Sequence, residues 1–227
     1  MTAAGWIRVD CHVHTVASGD AVLRVEQLAC RAVELGLDVV FVTDHNETSA
    51  ALAAQGRDLG VRIEVGEEVR TADGEVLGLF LTERIPYVLP IREVVRRIRA
   101  QGGLVGLPHP FDPLRAGAGA VADALCAEGA VDLVEVFNAK VHDPAHNDAA
   151  AAFASRHGLP VTAGSDAHDV TGLGAAYVEM PDFDGPREFL AALAQARPVG
   201  ELRPHAPRFP VARNAPAQPN RGASAVR

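Results

Sequence analysis

Cysteine is scarce: Cys11, Cys30 and Cys126 are widely spaced and odd in number, which argues against a disulfide framework and suits a reducing compartment. Long apolar runs are missing too. None approaches the roughly 18–20 residues that a membrane-crossing helix requires, so a membrane protein is not expected. No secretory signal precedes Trp6, and the expected location is the cytoplasm. Acid is absent from one region: from residue 203 onward the chain has five arginines (203, 208, 213, 221 and 227) and neither Asp nor Glu. With those arginines set aside, the rest of the chain carries −13 rather than the overall −8. A body that acidic repels long nucleic acid unless metal ions or a local basic patch offset it. The Pro-, Ala- and Arg-rich segment 203–227 cannot bury enough apolar surface to order itself, and is expected to be a disordered tail behind a single domain spanning 1–202.

The 48% hydrophobic and 22% charged residues that make up the chain are those of an ordinary soluble protein. Apolar runs that end in polar residues predict strands at 7–13, 38–43, 61–65, 75–81, 103–107, 131–137 and 160–163. Helical spacing of apolar residues predicts helices at 22–35, 48–59, 91–100, 121–128, 145–157 and 186–196. Most of the strands are nearly continuous in Val, Ile and Leu, as in a parallel sheet covered on both faces. The alternation points to βα units, either closed into a barrel or open and doubly wound.

Placement of polar residues favours closure. His12 and His14 end the first strand, Asp44 and His45 the second, and Glu67 and Glu68 follow the third. His109, Asn138, Asp166 and His168 follow later strands, and in a barrel those ends share one rim. His12 and His14 are two apart on a strand, so they share a face and can chelate one ion; a pair of hydrogen-bonded core histidines is the alternative. Asp44-His45 alone reads equally as a helix cap beside a surface histidine. Of Glu67 and Glu68, one faces the mouth and the other is expected in solvent. His109 lies between two prolines, which set its backbone. Five of nine histidines (12, 14, 45, 109, 168) thus stand at the rim with Glu68 and Asp166, more than one four-coordinate ion needs. Imidazole mixed with carboxylate suits manganese, iron or zinc, and paired ions activate a shared water for displacement at phosphorus.

HxH at 12–14, TDH at 43–45, GxE at 66–68, HP at 109–110 and GSDxH at 164–168 together resemble the polymerase and histidinol phosphatase (PHP) family over about residues 5–200. The resemblance implies an α/β protein, a distorted (β/α)7 TIM-like barrel, binding two or three divalent metal ions (Mn, Fe or Zn) and hydrolysing phosphomonoesters or phosphodiesters. By position it implies that His12, His14, Glu68 and Asp166 surround a first ion, that Glu68 bridges to a second held by His109, and that His45 and His168 bind a third with an early aspartate. Two departures concern the first loop and the fourth strand. The family's Ser-Asp-Gly is Ser18-Gly19-Asp20 here, so Asp20 is the candidate acid one position late. Glu75 stands where some members carry a histidine, and is a candidate carboxylate ligand.

Glu68, Asp166 and His168 are the expected catalytic groups. A phosphate requires cations or backbone donors, for which Arg115 and Lys140 are preferred over Arg70, with His142 or His146 available to protonate the leaving oxygen. Cys11 and Val13 are expected to point away from the histidines, and Trp6 to pack at the barrel bottom. The reading is a metal-dependent phosphoesterase acting on a small phosphorylated substrate or a nucleotide end, without an obligate protein partner. An amidohydrolase-type hydrolase and a metal-stabilised, non-catalytic accessory module are the alternatives.

Overall fold

Nine strands form one sheet in the order β7-β6-β5-β4-β3-β2-β1-β8-β9 in a computed structural model that describes residues 5–203. They are β1 (Trp6–Val13), β2 (Val39–Val42), β3 (Arg62–Arg70), β4 (Glu75–Leu79), β5 (Leu104–Leu107), β6 (Leu133–Asn138), β7 (Val161–Gly164), β8 (Ala176–Pro181) and β9 (Arg197–Gly200). The helices are α1 (Val25–Leu35), α2 (Ser49–Ala54), α3 (Ile91–Ala100), α4 (Ala122–Ala127), α5 (Pro144–His157) and α6 (Gly185–Leu193). All but Arg203 of the expected tail lies outside the described residues.

The sheet curls until its ends nearly meet. The Asp166 N–H donates to the His12 carbonyl at 2.7 Å and the His14 N–H to the Ala167 carbonyl at 2.9 Å, so the chain just past β7 pairs in parallel with the last residues of β1. Closure therefore occurs at the histidines. At its other end, β1 pairs with β8 from Trp6↔Pro181 to Val9↔Val178.

The expected parallel sheet is only partly found. β4 runs antiparallel to both β3 and β5, and β8 and β9 are antiparallel as well. The third and fourth strands are joined by the four residues 71–74, which is too short for a crossover and forces a hairpin. β3 also runs on to Arg70, so Glu67 and Glu68 lie inside it rather than after it. Neither β8 nor β9 was expected. In β8, buried Ala176, Val178 and Met180 alternate with partly exposed residues, the pattern of an antiparallel strand with one face covered. β9 is exposed throughout and contains Pro198, which reads as a turn.

Helices obey local rules. In α3, Ile91, Val94, Val95 and Ile98 face the core while Glu93 pairs with Arg96 and Arg97 outside. Asp143 caps α5 by accepting the Ala145 N–H at 2.9 Å, Pro144 begins the helix, and Gly158 ends it at φ 64°. Two apolar layers result. One lies between the sheet and α1–α5 and includes Val13, Val40, Val65, Val105 and Phe153. The other combines inward side chains such as Val9, Phe41, Leu77 and Leu79 with Phe189 of α6.

Val13 joins the helix-side layer as expected, but Cys11 packs in the inner cluster beside Val9 and Phe41. The cause is a bulge: Asp10 pairs with Val40 and Val13 with Val42, so Cys11 and His12 together oppose Phe41 alone. Strict alternation fails there, which is why an inward cysteine can precede an inward histidine. Trp6, at the start of β1, is partly exposed, with the Arg197 guanidinium 4.8 Å from its ring centre.

Candidate metal centre

The rim at the C-terminal ends of the parallel strands gathers side chains from nearly every segment. β1 supplies His12 and, just past its end, His14; residues beyond β2, β5 and β7 supply His45, His109, Asp166 and His168; β3 supplies Glu68 and β4 supplies Glu75. His12, His14, Glu68 and Asp166 are fully buried. His109 and Asp166 have φ of 27° and 52°, unusual for residues other than glycine, and strain of this sort persists where a site demands it.

Their ligand atoms converge. His12 Nε2 and His14 Nε2 are 3.0 Å apart, and each is 3.3 Å from Glu68 Oε2. His14 Nε2 is 3.4 Å from Asp166 Oδ1, and His109 Nε2 reaches Glu68 Oε1 at 2.9 Å. His45 Nδ1 is 3.1 Å from Glu68 Oε2, while Asp20 Oδ2 lies 3.5 Å from His45 Nε2 and 3.2 Å from His168 Nε2. Four triads lie close enough to share an ion: His12, His14 and Asp166; His12, Glu68 and His109; His14, His45 and His168; His45, Glu68 and Glu75. Thus Asp20 and Glu75, the two uncertain acids of the sequence, both sit at the cluster.

Electrostatics suit a cation. Burial, reinforced by His168 and His45, depresses the His14 pKa to about 3, which keeps its ring neutral. Burial opposes the charge on His12 as well, yet Glu135, Asp166 and Glu68 hold its pKa well above the ordinary histidine value. His45 is pushed up to about 10, Glu68 and Asp20 outweighing its burial. For Glu68, burial would raise the pKa, but His45 and His12 bring it well below the usual range. Asp166 follows the same pattern through Arg115 and Lys140. Glu75 moves up, by burial and by the Glu68 charge. His14 beside ionised Glu68 and Asp166 is already in the form that ligates, whereas His12 and His45 hold protons that a bound cation would displace. Facing imidazole nitrogens 3.0 Å apart need a proton or cation between them, and the donor set fits divalent ions of the manganese, iron or zinc type.

Several supporting residues escaped the sequence reading. Glu135 is buried in β6, with Oε1 3.0 Å from His12 Nδ1, while Oε2 accepts the His109 N–H at 2.9 Å and Asn138 Nδ2 at 3.0 Å. Its signal was a charge in the middle of the apolar run Val131–Phe137 of the sequence. Asp10 accepts the Ser165 N–H at 2.9 Å and the Gly174 N–H at 3.2 Å, and burial raises its pKa to about 7. Ser18 Oγ meets His14 Nδ1 and accepts the His45 N–H, both at 2.8 Å. Asp44 accepts the Thr15 hydroxyl at 2.7 Å and pins the first loop instead of joining the ligands. Glu67, expected in solvent, is buried on the opposite face of β3 and accepts the Ile85 N–H at 2.8 Å.

Arg115 and Lys140 flank Asp166, with Nη2 2.7 Å from Oδ2 and Nζ 3.4 Å from Oδ1. Lys140 Nζ also lies 3.1 Å from His168 Nδ1. Arg115 Nη1 is buried with no hydrogen-bond partner. Lys140 is the chain's only lysine, a distinction that composition alone could have revealed. His142 is exposed and outside this network, Arg70 is exposed, and His146 instead approaches Asp112 at 3.6 Å. Those three side chains are not brought to the cluster.

A TIM-like barrel with a buried histidine and carboxylate cluster at its mouth places the chain among the metal-binding barrels. The chain belongs to the PHP family: the PHP domain model matches residues 10–92, and the PHP-associated model matches residues 144–198. It is 34% identical over 197 residues to the uncharacterized protein MJ0417 of Methanocaldococcus jannaschii, covering 82% of this chain and 79% of that one. Its fold resembles a two-domain protein of Bacteroides vulgatus containing a predicted PHP-like metal-dependent phosphoesterase (TM-score 0.65, 20% identity, 86% of this chain). This chain spans 65% of that protein, just under two thirds of its length. It also resembles an amidohydrolase of Chromobacterium violaceum solved with bound sulfate and no metal (TM-score 0.53, 18% identity, 71% of this chain and 87% of that one). The family is metal-dependent. No helix among the described residues is long and apolar enough to cross a membrane.

Proposed function

We propose that this protein hydrolyses phosphoesters, acting in the cytoplasm on a small phosphomonoester or a nucleotide end without an obligate protein partner. The observation that carries this reading is the pair of cations, Arg115 and Lys140, converging on Asp166 at the edge of the ligand cluster. An amide has no charge for them to meet, whereas a phosphate has oxygens for both. That contrast separates this reading from the amidohydrolase alternative.

His12, His14, Asp20, His45, Glu68, Glu75, His109, Asp166 and His168 would hold two or three divalent ions. Such ions, when bound, supply Lewis-acid activation of water and neutralise charge on the phosphate oxygens. Arg115 and Lys140 orient the phosphate, and the free Nη1 of Arg115 is an available donor. Glu68 and Asp166, held ionised by the cationic groups around them, would fix the ions and orient the attacking water, whose proton passes to solvent. His168, 3.1 Å from Lys140 Nζ, would hold an ion beside the cation that meets the phosphate, and a water at the rim would protonate the leaving oxygen.

The test is phosphate release from a panel of monoesters and dinucleotides by protein loaded with manganese, iron or zinc, with His14→Ala as control. Metal-dependent release that the variant lacks is expected. No release with any of the three metals would leave the accessory-module reading.

A further inference from the structure

Large apolar side chains are exposed at nine positions among the described residues, and four of them lie in connections that carry the ligand residues. Val16 and Val22 lie in the connection after β1, Leu114 in the segment after β5, and Val170 in the segment after β7. β5, β6 and β7 run parallel, and the chain past β7 joins β1 in parallel, so these three connections leave from one end of the barrel. Each of the four is tied to the cluster. Val16 begins the turn whose Ser18 hydroxyl meets His14, and the Val22 N–H donates to the His168 carbonyl at 2.9 Å. Leu114 precedes Arg115, and Val170 follows His168 by two residues. Their exposures run from 39% for Val170 to 67% for Leu114.

An aliphatic group left in water contributes nothing to folding, and small-molecule sites combine apolar side chains with a few polar groups that fix orientation. Here the ligand cluster is polar and buried, while the connections that bear its ligands carry exposed aliphatic groups. A phosphate held between Arg115 and Lys140, with the buried cluster behind it, would leave its alcohol portion on the side of these connections. We propose that Val16, Val22, Leu114 and Val170 recognise the alcohol portion of the substrate, so that the preferred phosphoesters carry an alkyl or aryl group rather than a polyol. This assignment rests on the phosphoesterase reading and narrows it to a substrate class.

The experiment is calorimetric binding of two non-hydrolysable probes, benzylphosphonate and 2-hydroxyethylphosphonate, to the full chain loaded with manganese. Benzylphosphonate is expected to bind about tenfold more tightly, the scale on which a few apolar carbons discriminate. Leu114→Ser combined with Val170→Ser should shrink that ratio to about twofold, whereas Leu52→Ser, on the exposed face of α2, should leave it as it was. Equal affinity for the two probes in the wild type, or an undiminished ratio in the double variant, overturns the aliphatic assignment while leaving a working phosphate site intact. Failure of both probes to bind overturns the phosphate site and the assignment with it.

Discussion

Glu135 Oε1 and His12 Nδ1 lie 3.0 Å apart, and this one contact leaves Nε2 as the nitrogen His12 presents to His14 and Glu68. The other Glu135 oxygen accepts the His109 N–H, so one carboxylate braces two members of the cluster. Partners of this kind fix the orientation of a ligating ring and raise its basicity. Glu135→Ala is expected to weaken manganese binding by about 10–100-fold, the usual cost of losing such a partner. Metal titration by calorimetry checks it; unchanged affinity would show that His12 needs no brace.

Lys140→Ala should raise KM for a phosphate ester more than it lowers metal content, because its ammonium faces Asp166 and His168 from the rim. Lys140→Arg should restore only part of the loss, since a guanidinium is larger and delivers its charge differently. Unchanged kinetics in Lys140→Ala would remove it from the site.

As the chain's sole lysine, Lys140 also permits a chemical test. An amine-acylating reagent can modify the chain only there and at the amino terminus. Inorganic phosphate or vanadate, bound to the manganese-loaded protein, should slow labelling of Lys140 but not of the terminus, as read by peptide mass spectrometry.

Gly164→Ala tests how closely β7 approaches β1. A Cβ at this position would come 2.3 Å from His12 Cβ and 2.7 Å from Glu135 Oε1, so the strands must part. The expected result is a loss of about 1–3 kcal/mol of stability, as for other overpacked sites, together with weakened metal binding. Denaturant unfolding of metal-free protein separates the two effects.

Burial raises the Glu67 pKa to about 7 from its ordinary 4.5. The folded protein therefore keeps this proton over a range where the unfolded chain has lost it, and stability falls as pH rises from about 4.5 to about 7. Glu67→Gln cannot ionise and keeps an oxygen for the Ile85 N–H. Its thermal midpoint relative to wild type should climb across that window and level off above it. A constant difference from pH 4.5 to 8.5 would refute the buried-acid account.

Much of the molecule was legible in the chain itself. The polar residues that end apolar runs identified the rim, because a parallel strand buried on both faces tolerates charge only where it emerges. Helix positions followed from apolar spacing, with 91–100 matching α3 throughout, although the expected 48–59 shortens to Ser49–Ala54 and 186–196 ends at Leu193. Motif order marked His12, His14, His45, Glu68, His109, Asp166 and His168 as one set before any geometry was known.

Tertiary structure decided what depends on neighbours distant in sequence. Side-chain direction at Cys11 turns on a bulge measured against β2, and the burial of Glu67 turns on the segment that climbs past β3 to offer the Ile85 N–H. β8 and β9 exist as strands because β1 has a free edge to pair with, which local pattern does not encode. The bracing role of Glu135 arises only when β6 is laid beside the closing seam of the barrel. Sequence by itself determined which residues can ligate and in what order they occur, since those are local properties of composition and periodicity. Only the closed barrel decided which atoms face each other within 3–4 Å, because that distance is set by strand register and curvature summed over the whole sheet.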